Sequence, residues 1–148
     1  MSDVHIRPAV AVDQSMIKQM VGDEHLDPSS LNWSHFLVAE LNSEIVGIGQ
    51  VRPYPKCREL GSLVVNAPYR GTGVGAKLVN ALLERESGDV YLECQSKNES
   101  YYNRFGFQKI PRKEAPPPLK NKSMIVGLIM LVVGVRIIIM KREPPPQK

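Results

Sequence analysis

The residues with the most chemical content are Arg70-Gly71-Thr72-Gly73-Val74-Gly75, three alternate glycines behind an arginine. Glycines at this spacing let successive backbone N–H groups turn toward one point and let a bulky anion approach the main chain. An apolar run, Glu59 to Val65, leads into the loop, and a helix-periodic segment leaves it. A helix starting there adds roughly half a positive charge at its N-terminus, so strand, loop and helix together form a phosphate cradle. Arg70 supplies a side-chain cation beside it. The spacing excludes two common phosphate loops. A dinucleotide fingerprint needs GxGxxG and an acidic residue ending the next parallel strand, whereas Gly71, Gly73 and Gly75 give GxGxG without that residue. A P-loop ends in GK[ST], whereas Gly75 is followed by Ala76-Lys77-Leu78. The pattern present is R-x-x-G-x-G, carried by Arg70, Gly73 and Gly75.

The elements that must position this loop are legible in the hydrophobic pattern. Val4 to Arg7 alternates and meets Pro8, predicting a first strand stopped by proline. Asp13 is placed to cap a helix carrying Met16, Ile17, Met20 and Val21, closed by Gly22. Residues 23–34 carry a weak signal, either loop or short helix. Phe36–Leu41 and Ile45–Val51 flank Asn42-Ser43 as a hairpin, after which Pro53 and Pro55 break the chain. Glu59–Val65 is the next strand. The helix behind the loop places Val74, Leu78, Val79, Leu82 and Leu83 on one face. A strand over Asp89–Cys94, a short helix over Asn98–Arg104 and a strand over Phe107–Ile110 come next. Ala115-Pro116-Pro117-Pro118 is then a linker or a rigid turn.

Two blocks in this order, Glu59 to Gly75 and Tyr102-Asn103-Arg104-Phe105-Gly106-Phe107, resemble the two signature motifs of the GNAT N-acetyltransferase superfamily, R-x-x-G-x-G and Y-x-x-x-G-F. The likeness extends over roughly Val4 to Ile110. It implies an α/β (α+β) acyl-CoA N-acyltransferase fold, a mixed and mostly antiparallel sheet flanked by helices. It also implies acetyl-CoA as co-substrate and a primary amine as acceptor. By the same resemblance, backbone groups of Leu63, Val64 and Val65 meet the acetyl and pantetheine portions. The segment from Arg70 through Gly71, Thr72, Gly73, Val74, Gly75 and Ala76 holds the pyrophosphate. Tyr102 stands where many members place the tyrosine that protonates the leaving thiolate, with Tyr101 beside it. Glu59 stands where some members carry a base. One position departs from the pattern: seven residues before Tyr102, where many members have asparagine, the chain has Gln95.

The chemistry implied needs few groups. Alkylamines titrate near 10.4 and must be neutral to attack a thioester, so a base or a water chain serves them. The developing oxyanion and thiolate need hydrogen-bond donors. Direct attack needs no Ser–His or Cys–His pair. A binding protein for acyl-CoA, acting as sensor or scaffold without turnover, would carry the same loop.

Bulk properties fit this reading. The chain has 148 residues, a net charge of +4, 43% hydrophobic and 23% charged residues. That surplus of cations suits a nucleotide-like polyanion and is no nucleic-acid signature. Cys57 and Cys94 share no metal or redox spacing and read as reduced thiols in a cytoplasmic compartment. His5, His25 and His35 suggest no metal site, and the N-terminus has no apolar leader. Met124–Met140 admits two readings. Residues 123–133 form a buried helix stopped by Gly134, with residues 135–141 as the last strand that the resembling fold requires. Alternatively, the run reaches the low edge of a membrane span, with Arg136 inside it. The β-branched Ile137-Ile138-Ile139 favours the strand. Residues 1–142 are then one N-acetyltransferase domain and residues 143–148 a disordered tail. The acceptor amine and the oligomeric state carry no motif.

Overall fold

Phe36–Leu41 (β2) and Glu44–Tyr54 (β3) are rich in apolar residues and are joined by Asn42 and Ser43. Both turn residues have positive φ, 50° and 66°, as a tight two-residue hairpin turn requires. His5–Pro8 (β1) pairs antiparallel on the outer side of β2, with Pro8 opposite Leu37, so the proline ends an edge strand and interrupts no ladder. The computed structural model describes residues 3–146, with the side chains of residues 122–127 outside the description. Residues 1–2 and 147–148, the ends of the expected domain and tail, lie outside it too.

The seven strands run in the order β1-β2-β3-β4-β5-β7-β6, where β4 is Cys57–Val65, β5 Val90–Gln95, β6 Gln108–Ile110 and β7 Ile137–Arg142. The sheet is mixed and mostly antiparallel; β4 and β5 are parallel, with Glu59 opposite Tyr91. The helices are α1 (Gln14–Asp23), α2 (Val74–Glu84), α3 (Glu99–Asn103) and α4 (Pro117–Val132). The fold divides into two compact units, Met1–Arg52 with Leu60–Arg85 and Pro53–Glu59 with Glu86–Lys148.

In the first unit β3 is buried from Val46 to Arg52. Its alternating side chains meet a helix on each face. Ile48 joins Ile17, Met20 and Val21 of α1 in one core with Phe36, Val38 and Val64. Gly47 and Gly49 point the other way, where a Cβ would come within 3.0 Å of Leu78 and 3.1 Å of Leu82 in α2. The absence of side chains there lets α2 lie close on the strands. Its buried residues are Val74, Leu78, Val79, Leu82 and Leu83, the face expected from the periodicity.

Asp13 works differently from the expected cap. It precedes α1 with helical backbone angles and bonds none of that helix's N–H groups. Its carboxylate instead accepts Val10 N–H at 2.8 Å and Arg7 Nη1 at 2.9 Å, while Arg7 Nε donates to Glu40 at 2.9 Å. The Arg7 hydrogen bond holds the Asp13 carboxyl below the usual carboxylate range. A depressed folded-state value stabilises the fold above about pH 3.9 and is lost as pH falls through it. Asp13→Asn should therefore destabilise the protein by about 1–3 kcal/mol at pH 7. In thermal melts its deficit should shrink below pH 4.

In the second unit β7 lies between β5 and β6, with Val90 opposite Arg142 and Lys109 opposite Met140. Arg58 grips Glu86 through two hydrogen bonds of 2.7 and 2.8 Å. Several sequence boundaries move. Pro53 lies within β3, and the turn into β4 is Pro55-Lys56, with Lys56 at φ 60°. The prolines expected as a linker start α4: Pro117 and Pro118 occupy its first turn, where no N–H is needed and φ is preset. The helix therefore runs over Pro117–Val132 rather than 123–133, and the last strand over Ile137–Arg142 rather than 135–141. Gly134, at φ 80°, closes α4, with Val135 N–H bonded to Met130 O at 2.9 Å. Leu119 is fully buried against Ile139 and Ala115, but Leu128, Ile129, Leu131, Val132 and Val133 are exposed, so the distal part of α4 is not the buried helix expected. Among the described residues no helix is long and apolar enough to cross a membrane.

Candidate active site

The glycine loop adopts the shape that its composition suggests. Gly71 and Gly73 both have left-handed φ, 76° and 91°, and a Cβ on either would meet nothing within 4 Å. The glycines are thus required by backbone conformation and leave open space over the loop. Gly73 is the N-cap of α2, an 11-residue helix with no capping side chain and no acidic residue in its first turn. The N–H groups of Val74, Gly75 and Ala76 have no carbonyl one turn behind them. Lys77 is the first to bond back, to Gly73 O at 3.0 Å. A phosphate fits this arrangement: donors without internal acceptors, a dipole of the right sign and no acidic residue in the helix's first turn. The Thr72 hydroxyl donates to Tyr69 O and steadies the turn. Arg70 is engaged locally, its Nε donating to Val65 O at 2.9 Å and its Nη2 to Glu24 at 2.6 Å.

Ahead of the loop, Val64 is buried while Leu63 and Val65 are half-buried. The preceding residue, Ser62, has φ 51° inside β4. A left-handed residue within a strand turns neighbouring N–H and C=O groups out of the ladder. A buried polar network holds it. The Ser62 hydroxyl accepts from Gln50 Nε2 and from Arg52 Nη2, both at 2.9 Å, and Gln50 Nε2 also reaches Ser30 O at 3.1 Å. Gln50 and Arg52 sit two apart on one face of β3, and a Cβ on Gly61 would overlap the Arg52 guanidinium. Sequence reasoning missed this network. The available signal was a pair of large polar residues at i and i+2 inside an otherwise apolar strand.

In the second unit Tyr102 lies on α3. Its ring meets Phe107 edge-on at 6.2 Å and Tyr101 at 5.1 Å. Tyr101 faces away to Phe105 and carries Arg104 over its ring at 4.6 Å. The motif's spacing has a local cause. Gly106, at φ 92°, turns the chain after α3, so that Phe107 is fully buried and its N–H returns to Tyr102 O at 3.4 Å. Burial pushes the Tyr102 phenol above its ordinary value, with lesser contributions from Cys94 and Tyr101. It is therefore a protonated donor throughout the physiological range. Gln95 ends β5, opposite Ile137.

Glu59 is 2% exposed. Cys57, two residues earlier, shares its strand face, and burial together with the Glu59 charge pushes that thiol up to about 11. The cradle and the Ser62 network thus belong to the first unit, and Tyr102 and Glu59 to the second.

Comparison with known proteins bears on the family. The family model for the Acetyltransferase (GNAT) domain matches residues 32–109, more than half of the chain. The chain is similar to the N-alpha-acetyltransferase RimI of Mycobacterium tuberculosis, 28% identical over 106 residues that cover 61% of this chain and 66% of that protein. Among solved structures it is similar to N-acetylglutamate synthase from Neisseria gonorrhoeae, complexed with coenzyme A and N-acetyl-glutamate. The TM-score is 0.77 and the identity 17%, over 99% of this chain and 36% of that one. It is also similar to the ribosomal-protein-S18-alanine N-acetyltransferase from Escherichia coli, with TM-score 0.68 and 16% identity, over 99% of this chain and 97% of that one. The chain thus spans just under two-thirds of the curated relative and about a third of the synthase. At these identities the structural likeness concerns the fold. With a family match over most of the sheet and the same fold in its structural neighbours, the chain belongs to the GNAT family of acetyltransferases.

Proposed function

We propose that the chain transfers the acetyl group of acetyl-CoA to a primary amine by direct attack, with residues 1–142 acting as one catalytic domain. The observation that carries this reading is the loop from Arg70 to Ala76: two left-handed glycines feed an uncapped helix N-terminus with no acidic residue in its first turn. The amides of Gly71 to Ala76 receive the pyrophosphate, and backbone groups of Leu63, Val64 and Val65 receive the pantetheine and acetyl portions. Arg70 acts through its bond to Val65 O, fixing the end of β4 against the loop.

In the reaction the amine nitrogen bonds to the thioester carbon and the C–S bond breaks. One amine proton leaves to Glu59, directly or through water, and the departing thiolate accepts a hydrogen bond from Tyr102. An ordinary thiol titrates near 8.5, well below the buried phenol. Tyr102 therefore stabilises the thiolate by donating a hydrogen bond, and the proton remains on the phenol until solvent resolves the product. Neither step uses a metal ion. The acceptor is an amine of either a small molecule or a protein, and two free cysteines without metal or redox spacing suit a reducing, cytoplasmic compartment.

Calorimetric titration of the purified chain tests the reading. Acetyl-CoA and CoA should bind at micromolar concentration and ATP should not, followed by turnover on a panel of amines. Failure of both CoA species to bind would refute the cradle. Binding without transfer to any amine would instead identify an acyl-CoA sensor.

A further inference from the structure

The distal end of α4 has properties that an acetyl-transfer site does not explain. Leu128, Ile129, Leu131, Val132 and Val133 are 61–87% exposed, five large apolar side chains in six consecutive positions. Consecutive positions on a helix point around its whole circumference, so this is an apolar tip rather than a stripe. The helix base is anchored, since Leu119 is fully buried on β7. Contiguous apolar surface of this kind marks an interaction site.

Charge selects the occupant. Between Glu114 and Glu143 the chain has no acidic residue and five basic ones. Gly134 turns the chain directly from the tip to Arg136, which is exposed. Arg136, Lys109 and Arg112 line a cavity of about 200 Å³ together with Ile110 and Ile137–Ile139. Neither Arg136 nor Lys109 pairs with a carboxylate among the described residues. A second copy of the chain would bring the same cations together. An anionic lipid surface matches both features, apolar beneath and negative above.

We propose that the α4 tip docks peripherally on an anionic bilayer, with Leu128–Val133 entering the acyl boundary and the Arg136 cavity facing lipid phosphate. The helix dips into the interface without crossing it. This inference is independent of catalysis and stands whether or not the acetyl-transfer reading holds.

Co-sedimentation of the full chain with vesicles tests it. Vesicles of phosphatidylcholine with phosphatidylglycerol should carry the protein down about tenfold more effectively than phosphatidylcholine alone, and raised salt should reduce the difference. A Leu131→Asp/Val132→Asp variant, altered only at exposed positions, should lose this binding with an unchanged melting temperature. Arg136→Glu should weaken it mainly at low salt. Equal sedimentation with both vesicle types, or binding unaffected by the variants, would overturn the proposal. So would light scattering that shows a dimer made monomeric by the double variant, since the tip would then be a self-association surface.

Discussion

Gly73→Val should raise the Kd for acetyl-CoA by about 100-fold while leaving the fold largely intact. Gly73 sits at φ 91°, where a β-branched residue is strained, and forcing it there costs about 1–2 kcal/mol of stability. No atom lies within 4 Å of a new Cβ, so no clash adds to that strain. The larger effect falls on the ligand. The valine occupies the open space over the loop, and relieving its strain rotates the first amides of α2 away from their common point. Losing the equivalent of one charge-assisted hydrogen bond, worth about 1.5–3 kcal/mol, gives a change of that order. Gly88→Ala provides the control, because Gly88 also faces open space but carries no positive φ. It should leave the affinity unchanged. A Gly73→Val protein with a lowered melting temperature and normal acetyl-CoA affinity would reduce the loop to a turn.

Tyr102→Phe should lower kcat by about 100-fold, within the range for loss of one positioned proton donor, and change the acetyl-CoA KM little. The phenol packs edge-on against Phe107, a contact that phenylalanine preserves. Only the hydroxyl is lost, so the split between kcat and KM reports its role in the transition state. The pH profile adds a second readout. Because burial raises the Tyr102 phenol above 10, its ionisation cannot reduce activity between pH 7 and 10. A falling limb in that interval that disappeared in Tyr102→Phe would contradict this assignment. Tyr101→Phe should change kcat little, since that ring is turned to Phe105 and Arg104.

Where the sequence carried a local rule, it was informative. The period of α2 identified all five of its buried residues, and the glycine spacing marked a turn into a helix start, where the fold makes Gly71 and Gly73 left-handed. The turn at Asn42-Ser43 was legible because two apolar runs flank it. Features decided by distant contacts were not legible. Pro53 reads as a breaker, yet it occupies a place in β3 that tertiary pairing tolerates. Asp13 reads as a helix cap, but Arg7 and Val10 N–H take its carboxylate. Ser62 lies unmarked within the apolar run Glu59–Val65, and only the folded chain brings Gln50 and Arg52 to its hydroxyl. Pro116, Pro117 and Pro118 read as a linker or a rigid turn, whereas packing of Leu119 onto β7 makes them the start of a helix. The roles proposed for Tyr102 and Glu59 rest on motif resemblance, because burial around each is set by residues far away in sequence.

The two cysteines affect how the reaction can be watched. Transfer of the acetyl group releases a free thiol on CoA, which a chromogenic disulfide reagent detects as its thiolate. Burial pushes both Cys57 and Cys94 up to about 11. At pH 7 the ionised fraction of each is therefore well below the few per cent of an ordinary thiol. Released CoA should react with the reagent faster than the protein's own thiols, so that product can be followed without first removing its cysteines.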